Sequence, residues 1–148
     1  MISIQSSCIA LLLCAGAVSS ALAQNDFAQV AAKEPGAKVT ASGLVFRSLQ
    51  DGQGASPAAT DKVKVHYRGT FPDGKEFDSS FKRNQPIDFP LNAVIPCWTE
   101  GVQLMKVGGK AKLTCPPAIA YGARGAGGVI PPNATLQFEV ELIAIAGR

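Results

Sequence analysis

The chain has 148 residues, 47% hydrophobic and 17% charged, with a formal charge of +3, which is enough for one domain with a sizeable core. Lys and Arg stand apart, Lys82-Arg83 being the only adjacent pair, so no basic tract points to nucleic acid. Fifteen glycines and ten prolines favour a turn-rich β fold over a helical bundle.

Residues 1–23 contain no Asp, Glu, Lys or Arg, and Ile9 to Val18 is an apolar run that ends before Ala21-Leu22-Ala23. This is the pattern of a signal peptide cleaved after Ala23, so the protein is expected to be exported, periplasmic or secreted. The run is too short to span a bilayer comfortably, and no stable membrane insertion is expected. Residues 24–42 are polar and Ala-rich, interrupted by Pro35-Gly36, and read as a flexible arm. Residues 43–148 are then the folded domain, with its motif core at 61–146.

Leu44 to Leu49 reads as the first strand, ended by Asp51-Gly52-Gln53-Gly54. Val63 to Gly69 alternates cleanly, with Val63, Val65 and Tyr67 on the core side and Lys64, His66 and Arg68 outward. His66 is the only histidine. No Asp, Glu or Cys stands at ligand spacing from it, which argues against a metal site, and the lack of a second histidine removes most nucleophile–base pairs. Asp73-Gly74 is a hairpin turn. In Phe77-Asp78-Ser79-Ser80 the carboxylate reads either as a turn cap or as an acceptor at the edge of a ligand pocket. Pro86 to Leu91 alternates again, with Ile87, Phe89 and Leu91 inward.

Within Val94 to Met105, Trp98, Val102 and Met105 recur at spacings of four and three, one apolar face of a short helix. Two or three turns cannot persist alone in water, so this helix needs the apolar face of the flanking strands. Lys110 to Cys115 supplies Ala111, Leu113 and Cys115 inward. Ala118 to Pro132 is a glycine-rich loop containing Tyr121, and Leu136 to Leu142 closes the pattern with Leu136, Phe138, Val140 and Leu142 in the core. The expected fold is therefore α+β: a curved five- to six-stranded antiparallel sheet wrapped around one short helix.

Four separated runs, VKVHYRGTFPDGKEFDSS, VIPCWTEGVQLM, VGGKAKLTCPPAIAYG and GVIPPNATLQFEVEL, resemble in order the blocks of the FKBP-type peptidyl-prolyl cis–trans isomerases. With the export signal, the chain is most similar to the periplasmic and Mip-like branch without its long N-terminal dimerisation helix. The resemblance implies rotation of Xaa-Pro bonds in exported proteins, with a non-catalytic proline-binding chaperone module as the alternative. It implies a catalytic set of Tyr67, Phe77, Asp78, Ile95, Trp98, Tyr121 and Phe138, with Phe89, Val94, Ile130 and Ile87 binding substrate and Trp98 as the floor. Ile87 stands where many members carry an aromatic, and Ala126 where some carry histidine. The implied partners are proline-containing polypeptides and rapamycin-type macrolides; a monomer without cofactor or metal is expected. Cys97 and Cys115 remain after the signal is removed. They fall on a helix and a strand that must pack together, and are expected to form a disulfide, the alternative being two buried thiols.

Overall fold

The computed structural model describes residues 27–146, so the expected signal peptide and the start of the arm lie outside the described residues. Seven strands form one antiparallel sheet: β1 (Ala37–Val39), β2 (Val45–Gln50), β3 (Lys62–Thr70), β4 (Glu76–Ser79), β5 (Ile87–Pro90), β6 (Lys110–Cys115) and β7 (Leu136–Ile145). The order across the sheet is β1-β2-β6-β7-β3-β4, and β5 also pairs with β3. β3 is the hub because its nine residues serve three neighbours: Tyr67 stands opposite Val140, Gly69 opposite Asp78, and Val63 opposite Phe89.

The alternation in β3 and β7 decides which face is buried. Val63, Val65, Tyr67, Leu136, Phe138, Val140 and Leu142 all turn inward to one core. The main helix, Pro96–Gln103, lies on that face. Pro96 suits its first turn, where the missing N–H has no intrahelical partner to lose. Trp98 and Val102, with Met105 just beyond the helix, point into the sheet as the spacing predicts. Gly101 permits the close approach: a Cβ there would lie 2.8 Å from Leu113 Cδ2. Cys97 and Cys115 are bonded to each other, tying the helix start to the end of β6.

Two expectations change. The sheet has seven strands rather than five or six, because β1 and the four-residue β4 are too short to display a period. The arm is also not loose over its described part. Residues 27–32 are helical, Ala31 is buried, and β1 pairs with β2 through Ala37 opposite Arg47. Glu34 secures this segment, with its carboxylate 2.8 Å from Lys112 Nζ and 2.6 Å from Arg47 Nη1. The hydrogen bond from Lys112 is the main reason its carboxyl titrates below the ordinary range. A polar composition hid this because the segment docks by ion pairs across the outer face of the sheet.

Candidate functional site

Between the helix and the concave face of the sheet lies a cavity of about 490 Å³, lined by Tyr67, Phe77, Asp78, Phe89, Ala93, Val94, Ile95, Trp98, Tyr121 and Phe138. Trp98 is its floor. The indole meets Tyr67, Phe89 and Phe138 edge to face, with centroids 5.2, 5.5 and 5.4 Å away and interplanar angles of 81°, 81° and 90°. Such contacts fix ring orientation beyond what burial alone would do. Phe77 stands edge-on to Phe138 at 5.6 Å and leans on Phe71 behind it. The Trp98 N–H is buried with no acceptor among the described residues, so the indole is held by its ring neighbours at a cost of about 1–3 kcal/mol for the unmet donor.

The polar groups sit at the rim. Ile95 caps the helix, and its carbonyl accepts from the Trp98 and Thr99 N–H groups. Its own N–H has no acceptor among the described residues, leaving it free for a carbonyl in the cavity. Tyr121 begins the 3₁₀ turn Gly122–Arg124 and is 40% exposed, with its phenol at the mouth. The Tyr67 hydroxyl donates to Asp78 Oδ2. Arg83 Nη1 donates to Asp78 Oδ1 at 2.7 Å, and Nη2 reaches the Tyr67 oxygen at 3.3 Å. Burial by itself would raise the Asp78 carboxyl, but the hydrogen bonds from Arg83 and Tyr67 outweigh it, and Asp78 titrates below its ordinary value. Burial, and then the carboxylate beside it, push the Tyr67 phenol above its ordinary value.

Those directions set a pH dependence. A depressed carboxyl contributes stability above its unfolded pKa and loses it as pH falls through the folded value. Neither group changes charge between about pH 5 and pH 9, so ionisation of the pair itself contributes no pH dependence to activity across that window. A pH–rate profile of wild type and Asp78→Asn checks this. An ionisation in the window that disappears in Asp78→Asn would contradict it.

Two expected residues do not line the cavity. Ile87, opposite Val65 on β5, is packed against the core. Ile130 is buried within the glycine-rich loop, where its backbone bridges to Ala126. Two others were not expected: Ala93, which completes the lining, and Arg83, whose pairing with Asp78 depends on a loop that no periodicity describes. Gly69 also matters. A Cβ there would lie 2.5 Å from Phe77 Cζ and 3.0 Å from Phe138 Cε1. Gly69→Ala is expected to tilt the half-buried Phe77 ring into the cavity. This should weaken a cavity ligand roughly fivefold while the melting temperature moves by only a few degrees; ligand titration and calorimetry on the variant check both parts.

A second hollow of about 300 Å³ lies between β2 and the chain after the helix, lined by Lys38, Ser48, Gln50, Asp51 and Lys106 among others, with Phe46 as its one aromatic. It has no convergent rings to grip an apolar ligand. Among the described residues no group of three or more His, Cys, Asp or Glu could hold a metal ion.

The family model described as FKBP-type peptidyl-prolyl cis-trans isomerase matches residues 53–143. The chain is 55% identical over 114 residues to the FKBP-type 22 kDa peptidyl-prolyl cis-trans isomerase of Escherichia coli, covering 77% of this chain and 55% of that protein. It is 59% identical over 114 residues to the isomerase FkpA of Aeromonas hydrophila, covering 77% of this chain and 42% of that one. A crystal structure of a peptidyl-prolyl cis-trans isomerase from Pseudomonas syringae superposes with a TM-score of 0.80 at 42% identity, covering 88% of this chain and 96% of that one. The chain spans about half the length of the curated relatives it matches.

Proposed function

Because the chain belongs to the family of FKBP-type peptidyl-prolyl cis–trans isomerases, we propose that it accelerates rotation of Xaa-Pro bonds in exported polypeptides, binding the proline ring over Trp98. The observation that carries this reading is the hollow itself: an indole floor with three rings edge-on to it and the polar groups confined to the rim.

The uncatalysed rotation has a barrier of about 20 kcal/mol because twisting the amide breaks its C–N conjugation. No bond is formed or broken, so the reaction needs neither nucleophile nor cofactor. The planar amide is more dipolar than the twisted one, and an apolar cavity therefore disfavours the ground state relative to the transition state. The Ile95 N–H and the Tyr121 hydroxyl can donate to carbonyls flanking the proline, holding the segment while its bond turns. Asp78, kept ionised by Arg83 and Tyr67, fixes the orientation of the Tyr67 wall. Each tenfold acceleration needs about 1.4 kcal/mol of preferential transition-state stabilisation, which a few such contacts can supply.

We read the protein as a monomer acting outside the cytoplasm, after removal of residues 1–23 and with residues 43–148 as its isomerase domain; its cavity also suits a rapamycin-type macrolide. A protease-coupled assay on Xaa-Pro tetrapeptides, with and without rapamycin, tests the reading. Wild type should turn over and be inhibited, while Asp78→Ala and Tyr67→Ala should each lose about tenfold in kcat/KM. Binding of the peptides with no acceleration would instead favour a non-catalytic proline-binding module.

A further inference from the structure

Ser80 is fully buried, and its hydroxyl has three neighbours: the Tyr67 N–H at 2.7 Å, His66 Nδ1 at 2.9 Å and the Tyr67 carbonyl at 3.3 Å. The amide can only donate, so Ser80 Oγ accepts from it and has a single proton left to give. The Tyr67 carbonyl is the more distant acceptor, and it already receives the Ser80 N–H at 2.9 Å. Ser80 Oγ can give that proton to His66 Nδ1, its shorter contact, which puts the ring proton of the neutral imidazole on Nε2. It can also give it to the Tyr67 carbonyl, which leaves Oγ a lone pair to accept an Nδ1–H; the shorter contact favours the first. The imidazole is held in that orientation by stacking on Phe81, with centroids 4.7 Å apart and planes at 16°.

We propose that His66, although it faces away from the cavity, is a positioning residue for the isomerase site. As the Nε2–H tautomer it orients the Ser80 hydroxyl, and through Ser80 it fixes Tyr67 against the segment carrying Asp78. The proposal rests on the isomerase reading above.

The local topology explains why such a device is needed. Ladder pairing between β3 and β4 ends at Arg68 opposite Ser79, so the next pair, Tyr67 and Ser80, has no complete backbone ladder. Ser80 replaces it: its N–H donates to the Tyr67 carbonyl, and its side chain accepts the Tyr67 N–H. At its other end Tyr67 donates its hydroxyl to Asp78. Both ends of one residue are thus tied to one short segment, and a hydroxyl turned the wrong way would loosen the backbone end. Alternation along β3 puts His66 on the face opposite Tyr67, since the residue before an inward tyrosine must face outward.

Imidazole ¹⁵N shifts of this single histidine, measured on the substrate-free protein, should show the Nε2–H tautomer with Nδ1 accepting a hydrogen bond. A neutral ring protonated at Nδ1 would overturn the proposal. In the tetrapeptide assay, His66→Leu and Ser80→Ala should lower kcat roughly fivefold with KM within about twofold. His66→Asn, whose amide oxygen can occupy the Nδ1 position, should retain kcat within about twofold. Equal losses in His66→Leu and His66→Asn would reduce His66 to packing on Phe81 and overturn the positioning role, as would unchanged kcat in all three variants. A wild-type protein inactive on every peptide would overturn both readings together, whereas a wrong tautomer, read without substrate, overturns only this one.

Discussion

Trp98→Leu lowers kcat/KM on an Xaa-Pro peptide by more than tenfold while costing the fold only about 2 kcal/mol. The two effects separate because the indole does two different things. For the fold, it makes three edge-to-face contacts, each contributing about 0.5–1.5 kcal/mol beyond burial, but it also buries an N–H with no acceptor. Leucine loses the contacts and relieves the orphaned donor, which returns about 1–3 kcal/mol. For the cavity there is no such offset. Leucine is smaller, branched and not flat, so the floor drops and a pyrrolidine ring no longer fills the space between Tyr67, Phe89 and Phe138. A loss of 1.4 kcal/mol in transition-state stabilisation is already tenfold. Turnover and denaturant midpoint measured on the same preparation check the separation. A variant that keeps its rate, or that loses rate only in proportion to its folded fraction, would remove Trp98 from the site.

Removing the disulfide, by Cys97→Ala with Cys115→Ala, destabilises the domain by about 3 kcal/mol in the chain-entropy account for a loop of this size; the two cysteines are 18 residues apart. For a domain of this length that is roughly a 10 °C drop in melting temperature. The bridge joins the residue before Trp98 to the last residue of β6, so it restrains the helix that carries the cavity floor. Below the lowered midpoint, however, turnover should remain within about threefold of wild type, because the helix still packs through Val102, Met105 and Gly101. Both sulfurs are fully buried, so a reductant should open the bridge only after denaturation. Calorimetry on the double variant and alkylation followed by intact mass check this. Two alkylated thiols without reduction, or a midpoint within about 2 °C of wild type, would contradict it.

Much of the site was legible because its residues belong to regular elements. Tyr67 and Phe138 are inward positions of alternating strands, and Trp98 lies on a helix face with Val102, so each has a direction as soon as the period is read. The glycine-rich and turn segments have no period. Ile130, which the family resemblance placed in the cavity, instead anchors its loop to Ala126. Ile87 lies on the expected face, yet its position opposite Val65 commits it to the core. Arg83 and Ala93 stand outside regular strands, and only the folded chain shows Arg83 against Asp78. The arm misled for another reason: Glu34 docks it to Lys112, 78 residues away, through charge pairs that composition treats as solvated surface.

The sequence by itself determined the α+β class, the inward faces of β3, β6 and β7 and the apolar side of the helix, on which Trp98 lies. All of these follow from local periods of two and about 3.6 residues, whereas the choice of Trp98 as floor came from the family resemblance of its motif. Only the tertiary structure decided the edge strand β1, the pairing of Arg83 with Asp78, the close fit of Gly69 behind Phe77 and the link from His66 through Ser80 to Tyr67. These depend on how loops return across the sheet, and a loop's path is set by the few partners it meets rather than by any repeat in its own residues.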